Sequence, residues 1–161
     1  MDSDLKVPRY AKPDDLRGIE QLVSRVVLEC YGHLLSSYKF DADENWPGSW
    51  VVESEGEVVG VMLTDDDWVE DLWIAVPHRN RGIGAQLLSI AESEIAERGY
   101  EVARLRVVAE NGRALRFYAR HGWAEGSRYA HEINGFEMLE MMKRVGRRKL
   151  QRVLTLGPSG P

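Results

Sequence analysis

The chain has 161 residues, 43% of them hydrophobic and 29% charged, and a formal net charge of −5; the length suits one domain, and the acidic balance argues against a general nucleic-acid binder. A single cysteine, Cys30, excludes an intramolecular disulfide and a structural zinc site. No stretch approaches the ~18 apolar residues of a membrane span, and the N-terminal MDSDLKVPRY lacks the apolar run of a secretory leader, so a cytoplasmic protein is expected.

Val7 to Lys12 reads as a short first strand. Pro13-Asp14-Asp15 then opens a helix, with Asp14 or Asp15 as its cap. Leu16, Ile19, Leu22, Val23, Val26 and Val27 recur at helical spacing, which predicts one face packed on a core and an end near Tyr31-Gly32. Residues 33–48 are mixed and polar, with a short helix expected near Leu34 to Phe40. From Ser49 the period is that of strands. Trp50-Val51-Val52, a turn at residues 54–57 and Val58 to Leu63 make a hairpin, and Trp68 to Val76 follows as a third strand, antiparallel to its neighbour.

Pro77 to Gly84 reads as a loop, and Ile83 to Arg98 as a helix burying Leu87, Leu88, Ala91, Ile95 and Ala96 and ended by Gly99. Val102 to Val108 is a strand, Asn111 to His121 a helix, and Trp123–Tyr129 with Phe136–Lys143 a last hairpin. This order predicts an α/β (α+β) fold: a mixed, mostly antiparallel sheet of about seven strands flanked by helices. One domain is expected over residues 1–145. A basic, then Gly/Pro/Ser-rich tail over residues 146–161 is expected to be loosely held.

The most informative stretch is Arg79-Asn80-Arg81-Gly82-Ile83-Gly84-Ala85. It follows an apolar strand and opens a helix, whose start offers unpaired N–H groups and partial positive charge to an anion. Gly82 and Gly84 remove side chains that would hold a ligand off the backbone, and Arg79 and Arg81 add charge. The prediction is a phosphate or diphosphate site; the plain alternative is that the glycines serve only the turn. After the next strand, Asn111 and Tyr118 stand about two helical turns apart, so both can lie on one helix face. Tyr118 can donate a proton and Asn111 can hold an amide-rich ligand, or else the aromatics Phe117 and Tyr118 are simply core.

Together the two stretches resemble the GCN5-related N-acetyltransferase (GNAT) superfamily. Its acetyl-CoA signature is Gln or Arg, two residues, Gly, one residue, then Gly or Ala, matched by Arg79-Asn80-Arg81-Gly82-Ile83-Gly84. Its later pattern is matched by Asn111, Ala114, Phe117-Tyr118 and Gly122-Trp123. The resemblance runs from about Val7 to Val145. It implies transfer of acetyl from acetyl-CoA to a primary amine by direct attack, without a metal. The strand ending at Ile74-Ala75-Val76 would splay from its neighbour and pair with the pantetheine arm. Amides from Arg81 to Ala85 would cradle the pyrophosphate, Asn111 would contact the arm, and Tyr118 would protonate the departing thiolate. A backbone N–H near Val76 would face the oxyanion. Glu70 is the leading base, in strand alternation with Leu72 and Ile74, with Asp71 expected on the opposite face; a solvated or ion-paired carboxylate and a water chain are the alternatives. Dimerisation is common in such proteins, so a homodimer is a further expectation of the resemblance.

Two departures stand out. Pro77 lies two residues before Arg79 rather than three, and Arg106 occupies the place, twelve residues before the tyrosine, where ribosomal-protein acetyltransferases of the family carry a glutamate. Two other readings remain open at this level. One is a non-catalytic acyl-CoA sensor. The other is a Rossmann-type dinucleotide unit, disfavoured because Leu87 stands where a third glycine is needed. The four histidines have no metal-ligand spacing; Asp65-Asp66-Asp67 reads as a solvated turn; and Trp46, Trp50, Trp68 and Trp73 are core residues or the lining of an acceptor pocket.

Overall fold

The structure is a computed structural model that describes residues 5, 7–35, 37–40 and 46–146. The expected tail, from residue 147 onward, lies outside the described residues. The strands are β1 (Arg9–Tyr10), β2 (Trp50–Ser54), β3 (Glu57–Asp65), β4 (Trp68–Ile74), β5 (Val102–Val108), β6 (Ala124–Ala130) and β7 (Glu137–Arg144). The helices are α1 (Leu16–Tyr31), α2 (Ile83–Glu97) and α3 (Gly112–Arg120). The strands form one sheet in the order β1-β2-β3-β4-β5-β7-β6, antiparallel throughout except for the β4–β5 pair. A dinucleotide-binding unit needs a run of parallel strands, so that alternative is overturned.

The two long helices cover opposite faces. Trp73 meets Tyr31 of α1 edge-on at 6.3 Å between ring centroids. Its strand neighbour Ile74 packs near Gly84, at the start of α2. Successive strand residues point to opposite faces, so α1 and α2 sandwich β3 and β4. The apolar stripe of α1 (Ile19, Leu22, Val23, Val26, Val27) and that of α2 (Ile83, Leu87, Leu88, Ala91, Ile95) are buried against this sheet. Ala96 is only half-buried, being one position off that stripe. At Gly60 the sheet leaves room for α2: a Cβ there would stand 3.0 Å from Ile83 Cγ2 and 3.3 Å from Leu87 Cδ1.

Four local expectations change. The first strand shrinks to Arg9–Tyr10, because the Lys12 N–H is drawn to Asp15 Oδ2 at 2.7 Å. Asp15 therefore does not cap α1 through its side chain. No helix forms among the described residues of Leu34 to Phe40. The third strand stops at Ile74, and Val76–His78 turn as one short 3₁₀ segment around Pro77, which has no N–H to continue a ladder.

β1 is tied to the start of α1 by ionic contacts at Asp15. Its carboxylate accepts Arg9 Nη1 at 2.7 Å and Nη2 at 2.9 Å, a bidentate pair, as well as the Lys12 amide. The Arg9 guanidinium first, with the Lys12 amide, holds the Asp15 carboxyl below the usual carboxylate range, against its own burial. A lowered carboxyl stabilises the fold above its unfolded pKa and loses that contribution as the pH falls through the folded one. Asp15→Asn is therefore expected to cost about 2 kcal/mol at neutral pH. Its melting temperature should converge on wild type in acid below the ordinary carboxylate range, which calorimetric melts from pH 7 to 3 would follow.

Candidate active site

The β4–β5 pair holds together only at its start, with Trp68 opposite Arg104 and Val69 opposite Leu105. Beyond that the strands part. Ala75 N donates to Val59 O at 2.9 Å. By the alternation of an antiparallel ladder, the backbones of Trp73 and Asp71 face β3 in the same way, and those of Leu72 and Ile74 face the gap. The expected splay is present, with one change in its membership. Ala75 is committed on both sides, since its carbonyl accepts the His78 N–H at 2.8 Å. Ile74 faces the gap, and the Val76 N–H has no backbone acceptor among the described residues.

At the far end of the gap α2 begins. Gly82 is its N-cap with φ +83°, and Asn80 is also left-handed at +62°. The first backbone bond of the helix runs from Gln86 N to Gly82 O at 3.0 Å. The N–H groups of Ile83, Gly84 and Ala85 therefore have no helical partner. A Cβ on Gly82 would meet nothing within 4 Å, so this helix start opens to space. Gly84 has a different reason to be glycine: its Cβ would lie 3.3 Å from the Phe117 ring. Arg81 is exposed beside the opening. Arg79 turns elsewhere and donates from Nη2 to Cys30 Sγ at 3.3 Å. Two elements that the sequence leaves unconnected, the end of α1 and the signature loop, are joined there.

Asn111 is the N-cap of α3, its Oδ1 accepting the Ala114 N–H at 3.1 Å. Its Nδ2 donates to the Tyr31 hydroxyl at 2.6 Å. Phe117, two turns on, packs against Gly84 of α2. Thus α3 runs from one helical layer to the other past the ends of β4 and β5. Tyr118 packs beside Phe117 and Trp123, at ring-centroid separations of 5.2 Å and 6.1 Å. Burial pushes the Tyr118 hydroxyl well above the usual tyrosine value, and the nearby Tyr31 adds to the effect. Tyr31 is itself raised, by burial above all. Both hydroxyls stay protonated through the neutral range. In the sequence Tyr31 marks only a helix end, because nothing local shows which element a helix terminus will meet.

Glu70 does not keep the alternation expected of it. The β3–β4 register jumps from Leu63↔Asp71 to Thr64↔Val69, which makes Glu70 the extra residue of a β-bulge. Its carboxylate meets Arg106 Nη1 at 3.5 Å, and that guanidinium lies 3.8 Å over the Trp68 ring. Glu70 therefore shares the α1 face of the sheet with Trp68, rather than the face of Leu72 and Ile74. Asp71, expected opposite to it, is on the same side and accepts the Trp73 indole N–H at 2.9 Å.

The other expected features scatter. Asp67 accepts Arg104 Nε at 2.8 Å and Asp66 has φ +50°, so the acidic run is a braced turn. Trp46 packs on Phe40 and Trp50 on Tyr10, with Trp73 alone of the four near the gap. His33 Nε2 contacts Glu110 Oε1 at 2.6 Å, His121 Nδ1 the Phe117 carbonyl at 2.8 Å, and His131 stacks on Phe136. His78 keeps a buried Nδ1 without a hydrogen-bond partner among the described residues. Among the described residues no group of three potential ligands is placed to hold a metal ion, and no helix is long and apolar enough to cross a membrane.

In class, the molecule is a mixed α/β sheet parted at its one parallel pair, with a helix start at the mouth of the opening. Residues 18–123 match the Acetyltransferase (GNAT) family, and the chain belongs to that family. It is 33% identical to an uncharacterized N-acetyltransferase of Archaeoglobus fulgidus over 51% of this chain and 63% of that one. It is 34% identical to an aminoalkylphosphonate N-acetyltransferase of Salmonella typhimurium over 44% of this chain and 52% of that one. The match thus spans less than two thirds of the length of these relatives. In fold it is similar to Salmonella typhimurium yncA, whose structure was solved with its cofactor acetyl-CoA: TM-score 0.72 at 17% identity, covering 91% of this chain and 96% of that one.

Proposed function

We propose that this chain transfers the acetyl group of acetyl-CoA to a primary amine by direct nucleophilic attack. The observation that carries the reading is the gap between β4 and β5. The α2 start stands at one end without helical partners for its first amides, and α3, which carries Tyr118, meets that helix start through Phe117. Family membership and the N-acetyltransferase relatives support the same reaction.

The residues divide the work as follows. The amides of Ile83, Gly84 and Ala85, opened by Gly82 and flanked by Arg81, take the pyrophosphate. The gap-facing backbone of Ile74 pairs with the pantetheine arm, and Asn111 donates to it. The N–H of Val76 faces the thioester carbonyl oxygen and stabilises the charge that develops there. Tyr118 donates its proton to the leaving sulfur. A weaker acid than free tyrosine is not a handicap here, because the dry surroundings that disfavour a phenolate disfavour a thiolate too. Arg79 supports the loop through Cys30 and does not touch phosphate.

Glu70 takes the proton from the incoming ammonium, directly or through water, exchanging its contact with Arg106 for one with the amine. The acceptor approaches from the α1 face, by Trp73 and Asp71. A hollow of about 220 Å³ lined by Val108, Ala109, Glu110, Phe136 and Glu137 lies on the last hairpin's side. A small amine carrying an anionic group, as in the aminoalkylphosphonate relative, is a fitting first candidate, with Arg106 available to the anion.

The test is a turnover screen of acetyl-CoA against a panel of amines, reading free thiol. Acetylated product with at least one amine is expected; release of thiol without any acetylated amine would count against the reading. In the same assay Glu70→Gln is expected to slow kcat by about 10²-fold at neutral pH. Much of that loss should return at high pH, where the amine is already deprotonated, and the KM for acetyl-CoA should not move. A flat ratio of wild type to variant across pH would remove Glu70 from the base role.

A further inference from the structure

The end of α1 reaches the start of α3 through one side chain in particular. Tyr31 is the last residue of α1, half-buried, with its ring edge-on to Trp73 of β4. Its hydroxyl accepts the Asn111 amide at 2.6 Å. The other end of the same carboxamide is also fixed, because Oδ1 takes the Ala114 N–H at 3.1 Å. An amide held at its oxygen by a backbone donor and at its nitrogen by a hydroxyl has one orientation only, and flipping it would set donor against donor at Ala114. An asparagine nitrogen carries two N–H groups. One is spent on Tyr31, and the direction of the second follows from the first.

We propose that Tyr31 is a positioning residue for cofactor binding: its hydroxyl locks the Asn111 carboxamide so that the second N–H points at an amide carbonyl of the pantetheine arm. The inference rests on the reading given above that Asn111 holds that arm. It adds that the first helix, and not the cofactor-binding half of the chain alone, sets this donor's direction. Tyr31 is no catalytic residue in this account, since it acts through Asn111.

The variants are compared by titration calorimetry with two probes: coenzyme A, and adenosine 3′,5′-bisphosphate, which lacks the pantetheine arm. Tyr31→Phe keeps the ring against Trp73 and removes only the oxygen. It is expected to weaken coenzyme A about tenfold, with the bisphosphate within twofold of wild type. Asn111→Asp keeps the oxygen that caps α3 and loses the N–H groups, and should show the same selective loss. Combining the two changes should add nothing, because they remove one interaction.

A merely structural role for Tyr31 would weaken both probes alike, and that result overturns the proposal. So does undiminished coenzyme A binding in Tyr31→Phe while Asn111→Asp loses it; the reading of Asn111 then survives and only the link to Tyr31 fails. If Asn111→Asp itself binds coenzyme A as wild type does, the reading of Asn111 fails and takes the proposal with it.

Discussion

Gly82→Asp is expected to abolish coenzyme A binding, raising Kd by about a thousandfold. The effect is charge: a carboxylate some 4 Å from a phosphate, near a protein surface, is opposed by about 4 kcal/mol, whereas the left-handed backbone at φ +83° burdens free and bound protein alike. Nothing in the protein stands within 4 Å of the added Cβ, so the new group projects into the opening rather than into the core. Gly82→Asn isolates the charge, since asparagine shares aspartate's tolerance of the left-handed region and almost its shape. Calorimetric titration should find Asn far closer to wild type than Asp. Near-normal binding by the Asp variant would remove the pyrophosphate from this helix start. No change at Arg79 is needed to see the effect, because its guanidinium is turned to Cys30.

Tyr118→Phe should slow acetyl transfer by about 10²–10⁴-fold, the range for loss of a positioned proton donor, with coenzyme A affinity within twofold of wild type. The ring contacts with Phe117 and Trp123 are kept, so fold and binding should survive. Steady-state rates with saturating amine, beside a binding titration, measure both quantities. Because burial keeps the hydroxyl protonated well beyond the usual tyrosine range, wild-type activity should show no alkaline decline from this group up to about pH 10. Equal rates for the two proteins would mean that solvent supplies the proton. Absence of turnover by both on every amine would favour a binding module instead of an enzyme.

How much of this was legible in the chain depended on whether the signal was local. The start of α2 was readable because glycine, helix polarity and arginine act within a few residues of one another. The same holds for the packed stripes of α1 and α2, where spacing alone decides which side chains meet the sheet. Glu70 was misplaced because alternation assumes an unbroken ladder, and one inserted residue turns it to the other face. Ala75 looked as available as Ile74 until the register assigned its N–H to Val59. Tyr31, Cys30 and His33 were not legible as site neighbours at all. Their contacts with Asn111, Arg79 and Glu110 span from 49 to 80 residues of sequence and exist only once α1 lies across the sheet.

Because β4 and β5 are joined at two rungs only, this sheet has an interior pair of rims as well as the outer ones at β1 and β6. Exposed rims ordinarily invite another chain to add itself as a strand. Here α2 begins at the end of the opening and α3 runs past it, and in the proposed function those rims pair with the amide groups of a slim ligand arm instead of a second polypeptide. The fold thus keeps the adhesive quality of an unfinished sheet while limiting who can use it.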